Sequence, residues 1–257
     1  MSAGNARSSA VMTDFDGTLS EIVDDPALAR PLPEATEALN ALAPVFGVVA
    51  VVSGRPLKFL RDSFPALDPA VRLVGMYGME RLEHGVVRLA TGVDSWRGVV
   101  AQVAGEARAQ VRGGVLVEDK GLSVTLHWRT SPAGMPWADG FARRVASKTG
   151  LKIQPGRMAV ELRPPVGPDK GAVVEELASG CTAACFVGDD EGDLAAFAAL
   201  DRLAAGGARV VKVAVGAVES PTALLAAADL VLESPRATVE FLKGLARTGR
   251  IAPEEAG

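Results

Sequence analysis

The stretch Val11-Met12-Thr13-Asp14-Phe15-Asp16-Gly17-Thr18-Leu19 sets two carboxylates, two residues apart, where an apolar strand gives way to a glycine turn. Side chains alternate along a strand, so Asp14 and Asp16 would share a face if the chain stayed extended. Gly17 breaks it there instead, freeing backbone N–H groups to face a bound anion. Like charges at close range push their pKa values apart, so one carboxylate can act as nucleophile while its neighbour handles protons. A surface turn rich in aspartate would read the same way over this stretch alone. The rest of the chain decides between the two.

Outward from this stretch, strand and helix alternate. Val11–Thr13 is a short apolar strand, and Pro33–Ala43 carries helical spacing through Ala35, Ala38, Leu39 and Leu42. Val48–Val52 is a continuous β-branched run, too short for a helix, and is expected as a buried parallel strand. Pro56–Asp62 restarts a helix, and Val71–Val74 is a further strand ending in Gly75-Met76-Tyr77-Gly78. From about Asp94 the style changes to helix–strand–strand, given twice. A helix carries Trp96, Val99, Val100, Val103, Ala107 and Val111; strands Val115–Lys120 and Leu122–Arg129 follow. A helix over Ala138–Ser147 then precedes strands Leu151–Gln154 and Ala159–Arg163, with Pro155-Gly156 as the turn between them. After Pro164-Pro165 the first style returns: helix Lys170–Ala178, strand Ala184–Val187, a helix after Asp193, and strands Val210–Val215 and Leu230–Leu232. The pattern predicts an α/β protein. A Rossmann-like parallel-sheet core (1–88 and 166–257) would carry an inserted α+β cap of αββαββ order (89–165).

Composition narrows the chemistry. The 257 residues, 48% of them hydrophobic, can bury a real core, and a net charge of −4 provides no field for nucleic acid or anionic membrane. The first nine residues lack a basic-then-apolar signal pattern, and acids interrupt the run from Val11 too early for it to span a bilayer, so a cytoplasmic protein is expected. Cys181 and Cys185, with no histidine nearby, make a poor zinc site. The only histidines, His84 and His127, sit in no triad-like motif, which leaves acid–base work to carboxylates and lysine.

Four core strands end in reactive or anion-friendly residues: Asp14, Ser53-Gly54-Arg55, Gly75-Met76-Tyr77-Gly78 and Gly188-Asp189-Asp190. Open parallel sheets bind ligands at this edge. Lys170-Gly171 adds a charge at a helix N-terminus that favours anions. With Asp14-Phe15-Asp16-Gly17-Thr18, Ser53, Lys170 and Gly188-Asp189-Asp190-Glu191-Gly192-Asp193 in this order, the chain resembles the haloacid-dehalogenase-like phosphatases. Within them it is most similar to the trehalose-6-phosphate phosphatases. That narrower likeness rests on Val52-Ser53-Gly54-Arg55, Gly75-Met76-Tyr77-Gly78-Met79-Glu80, Glu118-Asp119-Lys120-Gly121 and Glu161-Leu162-Arg163-Pro164 leading to Asp169-Lys170-Gly171. Gly192, Leu194 and Tyr77 depart from the family's usual residues.

The resemblance implies a Mg²⁺-dependent phosphatase acting on a small sugar phosphate. Asp14 is the expected nucleophile and Asp16 the acid–base residue. Asp14, Asp16 (by its carbonyl), Asp189 and Asp190 are expected around the metal, with Asp193 orienting its waters. Ser53, Gly54 and Lys170 are expected on the phosphoryl oxygens, and Arg55 among the substrate contacts. In the cap, the odd positions of Leu122–Arg129 are Ser123, Thr125, His127 and Arg129, a polar face opposite an apolar one. The resemblance implies that Glu118, Lys120 and Glu161 contact the sugar, with His127 and Arg129 in support; an ordinary solvated face with cross-strand ion pairs is the other reading. Two alternatives keep the fold: a phosphatase for sucrose phosphate or a pseudo-disaccharide phosphate, and a catalytically silent sugar-phosphate sensor.

Overall fold

The computed structural model describes residues 6–216 and 220–250. The chain separates into two compact units, one running to Arg88 and resuming at Pro168, the other Leu89–Gly167. In the first unit the chain runs β1 (Ser9–Thr13), α1 (Ala35–Leu42), β2 (Val48–Val52), α2 (Leu57–Ser63), β3 (Arg72–Gly75), β4 (Glu80–Glu83) and β5 (Val86–Leu89). The second unit holds α3 (Arg97–Gln110), β6 (Leu116–Asp119), β7 (Val124–His127), α4 (Met135–Thr149), β8 (Lys152–Gly156) and β9 (Ala159–Arg163). The first unit then resumes with α5 (Lys170–Leu177), β10 (Ala183–Gly188), α6 (Leu194–Ala205), β11 (Arg209–Val215), α7 (Thr222–Ala227), β12 (Leu230–Leu232) and α8 (Pro235–Arg250).

Among the described residues the first unit forms an eight-stranded sheet in the order β12-β11-β10-β1-β2-β3-β4-β5, parallel from β12 to β3. Alternation along β1 splits its side chains between two layers. Val11 joins Val49, Val51 and Leu73 against α1, α2 and α8, while Ala10 and Met12 join Ala50, Val52 and Phe186 against α5 and α6. Helices on both faces explain why β2 is apolar throughout. Because β1 leads to β2 on one side and is later joined by β10 on the other, the sheet reverses its order at β1. The crevice of an open α/β sheet opens at such a point.

Three departures from the sequence reading have physical causes. β4 runs antiparallel to β3, and β5 extends the sheet past it; the two are joined by His84-Gly85, both at positive φ, the geometry two-residue hairpin turns favour. Helix α8 lies beyond the expected elements, and its Val239, Leu242 and Ala246 follow helical spacing into the core. Pro155-Gly156 is not a turn. Both residues lie in β8, an edge strand where proline is tolerated, and the chain reverses at Arg157-Met158 with Met158 at φ 52°.

The second unit pairs its strands in the order β6-β7-β9-β8, all antiparallel. Val100, Val103 and Ala107 of α3 and Ala138, Phe141 and Val145 of α4 pack with Val124, Leu126, Val160 and Leu162 on one face of this sheet.

Phe15 sits between the two carboxylates of the opening stretch and points the other way, edge-on to Phe59 and Phe64 with ring centroids at 5.6 and 5.8 Å. Its ring therefore anchors the strand end that carries Asp14. Phe15→Ala is expected to lower unfolding free energy by about 3–5 kcal/mol, measured by denaturant titration. A loss under about 1 kcal/mol would mean that the aromatic cluster does not hold the strand end.

Candidate active site

The site begins where β1 and β10 end side by side. The Asp14 N–H donates to the Val187 carbonyl at 2.8 Å, so the first carboxylate emerges next to Gly188-Asp189. Asp169 caps α5 by accepting from the Ala172 N–H at 2.8 Å, which puts Lys170 in the first turn of that helix. The Lys170 ammonium lies 2.8 Å from Asp14 Oδ2 and 2.6 Å from Asp193 Oδ1. The other Asp193 oxygen accepts from the N–H groups of Asp189 and Asp190 at 2.9 and 3.1 Å. Asp193 thus ties the lysine to the loop after β10, and Gly188 is needed there because a Cβ would collide with the Asp193 carboxylate.

All these charges are buried, and burial sets their titration. It raises Asp14 to about 6 against the pull of Lys170, and it raises Asp193 to about 8 in the same way. Burial works against the Lys170 charge too, but Asp14, Asp193 and Asp190 outweigh it and lift its pKa well above the usual lysine value. Lys170 is a fixed cation.

Asp14, Asp189 and Asp193 bring carboxylate oxygens within 4.8 Å of one another, a group able to hold a metal ion. One ammonium among three carboxylates leaves two negative charges when all are ionised, and the donors are all hard oxygens. The sequence reading placed Asp190 at the metal and Asp193 behind it; the structure brings Asp193 into the cluster. Three donors already occupy the Asp193 oxygens, so Asp14 and Asp189 are the better ligands. The Asp190 side chain caps the turn that follows, yet its Oδ1 is buried without a hydrogen-bond partner, as an acceptor facing a hydrated cation would be. Gly17, at φ +68°, passes so close to the Asp189 carboxylate that a Cβ there would overlap it. The residues fit a hard cation.

Ser53 follows β2 and is buried, its Oγ accepting from the Arg55 N–H at 3.2 Å. The loop after β3 clamps this segment: Tyr77 N–H donates to the Ser53 carbonyl and Met76 N–H to the Arg55 carbonyl, both at 2.9 Å. Met76 and Tyr77 pay for that reach with positive φ values of 52° and 57°, strain of the kind that collects at functional sites. Tyr77 lies against Gly54, where a Cβ would stand 2.5 Å from the phenol oxygen. The sequence marked Tyr77 only as an unusual residue; its left-handed backbone has no signal in a non-glycine residue.

Arg55, expected among the substrate contacts, lies two residues past Ser53. Its guanidinium faces the Asp16 carboxylate, Nε to Oδ2 and a terminal nitrogen to Oδ1, each at 2.7 Å. The other terminal nitrogen donates to the Pro26 carbonyl at 2.7 Å, and the group lies 4.5 Å over the Phe59 ring. The guanidinium is thus engaged by Asp16 and the Pro26 carbonyl.

In the second unit, strand register aligns Glu118, Thr125, Glu161 and Gln154 in one row across the sheet. Glu118 pairs with His127 at 2.8 Å, Lys120 with Glu161 at 3.4 Å, and the Ser123 hydroxyl donates to Glu161. The Lys120 and Glu161 side chains are only 8% and 5% exposed, so this end is not a solvated face. Arg129 lies beyond the end of β7 and is half-buried. Ser123 and buried Thr125, whose hydroxyl has no hydrogen-bond partner, belong to the same polar face and were legible only as positions in the alternation.

The raised carboxylates carry a pH consequence. An acid whose pKa is higher folded than unfolded stabilises the fold fully below its unfolded value, and that contribution is lost as pH rises through the folded one. For Asp14 and Asp193 the window runs from about pH 4, their ordinary range, up through about 6 and about 8. Without metal, the melting temperature should fall between pH 5 and pH 8. Stabilisation by millimolar Mg²⁺ should be larger at pH 8, where fewer protons compete with the ion. Equal metal-induced shifts at both pH values, read by differential scanning fluorimetry, would contradict this charge assignment.

Comparison with known proteins bears on the family and the fold. The trehalose-phosphatase family model matches residues 12–229. Trehalose-phosphate phosphatase of Mycobacterium leprae is 33% identical over 257 residues, covering 94% of this chain and 58% of that protein. The Mycolicibacterium paratuberculosis protein of the same name is 35% identical over 255 residues, covering 93% of this chain and 62% of its own. The chain therefore spans about three-fifths of the length of these relatives. Among solved structures, a trehalose-6-phosphate phosphatase related protein superimposes with a TM-score of 0.79 at 24% identity, over 94% of this chain and 98% of that one. The C-terminal domain of C. albicans trehalose-6-phosphate phosphatase gives 0.75 at 22% identity, over 95% and 94%. No helix among the described residues is long and apolar enough to cross a membrane. The family model spans most of the chain, and the chain belongs to the trehalose-phosphatase family.

Proposed function

We propose that this chain hydrolyses trehalose 6-phosphate to trehalose and phosphate, in the cytoplasm, with Mg²⁺ as its metal. The observation that carries this reading is the buried Lys170 ammonium held 2.8 Å from Asp14 at the reversal point of a parallel sheet. A carboxylate there can attack phosphorus only if positive charge first draws the phosphoryl oxygens in. Ser53 Oγ, the Gly54 N–H and Lys170 provide those donors. Asp14 forms the new O–P bond as the bond from phosphorus to the sugar oxygen breaks, giving an aspartyl phosphate. Asp16 gives its proton to the departing sugar oxygen. It then takes one from the water whose oxygen attacks phosphorus, releasing phosphate and restoring Asp14. Asp14, Asp189 and the Asp16 carbonyl would hold the ion, with Asp190 and Asp193 beside them; when bound it neutralises charge on the phosphoryl group. Two free thiols, one buried and raised to about 12 by that burial, suit a reducing compartment.

Sugar selection is assigned to the polar row of the second unit. Glu118, Lys120 and Glu161 are directional partners for hydroxyl groups, and His127 holds Glu118 in place. Arg129 is a supporting contact at the end of the same face.

Phosphate release from a panel of trehalose 6-phosphate, sucrose 6-phosphate and p-nitrophenyl phosphate, with and without Mg²⁺, tests the activity. Trehalose 6-phosphate should be preferred, and both chelation and Asp14→Asn should reduce turnover to below about one per cent. A preference for another sugar would move the substrate, and no turnover on any ester would favour a sensor. Glu161→Gln separates grip from chemistry. It should cost about tenfold or more in kcat/KM on trehalose 6-phosphate and little on p-nitrophenyl phosphate, since a charged hydrogen bond contributes about 1.5–3 kcal/mol. Equal losses on both would remove the polar row from sugar recognition.

A further inference from the structure

We propose that Arg55 is the positioning residue of Asp16: it acts on the reaction by fixing the direction of the acid–base carboxylate, not by touching the substrate. This rests on the role given to Asp16 above. Both Asp16 oxygens are engaged by one guanidinium, at 2.7 Å each, across 39 residues of chain. A fork matched to a carboxylate in this way sets orientation as well as distance, which a lysine's single ammonium does not. Arg55 is itself immobilised. Its third contact is the Pro26 carbonyl at 2.7 Å, its guanidinium rests on Phe59, and the residue is 7% exposed.

Its backbone is held as firmly. The N–H donates to Ser53 Oγ and the carbonyl accepts from Met76. The Asp16 backbone bridges to Ser20, but its side chain is 31% exposed and Arg55 is the partner of both its oxygens. A general acid must lie within hydrogen-bond reach of the oxygen it protonates, and a carboxylate free to rotate would reach it only part of the time. Ser53 and Arg55 therefore divide one loop between two tasks, the hydroxyl facing the phosphoryl group and the guanidinium holding the acid.

A residue acting through the acid has a signature that a substrate contact lacks. Phenyl phosphate and p-nitrophenyl phosphate have nearly the same shape, but the phenolate leaves poorly and needs the proton. In the full chain with Mg²⁺, Arg55→Met should lose about ten- to a hundredfold more kcat on phenyl phosphate than on p-nitrophenyl phosphate, with little change in KM. Arg55→Lys should recover part of that selective loss. In an Asp16→Asn background, Arg55→Met should add no further selective loss, because the group it positions is gone.

Equal losses on the two esters, or a selective loss that persists undiminished in the Asp16→Asn background, would overturn the proposal and return Arg55 to the substrate. If Asp16→Asn alone depresses both esters equally, the acid–base role of Asp16 fails, and the inference falls with it for a distinguishable reason. Thermal unfolding checks that each variant folds. Should Arg55→Met not fold, Arg55→Lys is read by the same ratio, an unchanged ratio counting against the proposal.

Discussion

A lysine ammonium buried between two carboxylates is the constraint on which the rest of this protein depends. Lys170 touches Asp14 and Asp193, and each of the three sits on a different element: the start of α5, the end of β1 and the turn after β10. An isolated charge in such a place would be expensive, and removing one partner from a buried pair leaves the other uncompensated. The fold therefore has to deliver all three together. It does so by hydrogen-bonding the end of β1 to β10, by capping α5 with Asp169, and by turning the Asp193 carboxylate back onto two backbone N–H groups. The same packing puts Asp14 against an ammonium and within a carboxylate cluster able to hold a metal ion.

The parts of this arrangement that show in the sequence are those set by local pattern. Apolar runs reveal β2 and β10, and the residues just past strand ends reveal Asp14, Ser53 and Asp189, because chain direction alone puts them on one edge of the sheet. Lys170 is legible for a similar reason, as a cation at a helix start following Asp169. What does not show is where a long side chain turns. Arg55 reads as a substrate contact from its neighbours Ser53 and Gly54, and only tertiary packing against Phe59 and Pro26 sends it to Asp16. The β4–β5 hairpin was hidden because Glu80-Arg81-Leu82-Glu83 is mostly polar and His84 gives no turn signal, although Gly85 does.

The second unit follows a different economy. One face of its sheet meets two helices through valine, leucine and phenylalanine, and the other holds charged and hydroxyl side chains that pair across strands. Lys120 and Glu161 are as hidden from water as many core residues, so their pairing carries a desolvation cost that packing alone would not demand. The row Glu118, Thr125, Glu161 and Gln154 puts carboxylate, hydroxyl, carboxylate and amide side by side at strand spacing, a donor and acceptor sequence laid out by register rather than by any single motif.

The sheet order has a consequence for how the chain is made. β1 pairs with β10, Ser9 opposite Ala183, so the strand that leads into Asp14 waits for a partner synthesised well over a hundred residues later. Contacts so distant in sequence form slowly, and until they do an apolar strand edge stays open to the wrong partners. Residues Leu89–Gly167 can meanwhile assemble their own sheet and helices on the ribosome, since their pairings are local. On this ordering the inserted unit can mature first, while Asp14 waits for Lys170, which lies beyond that unit in the chain.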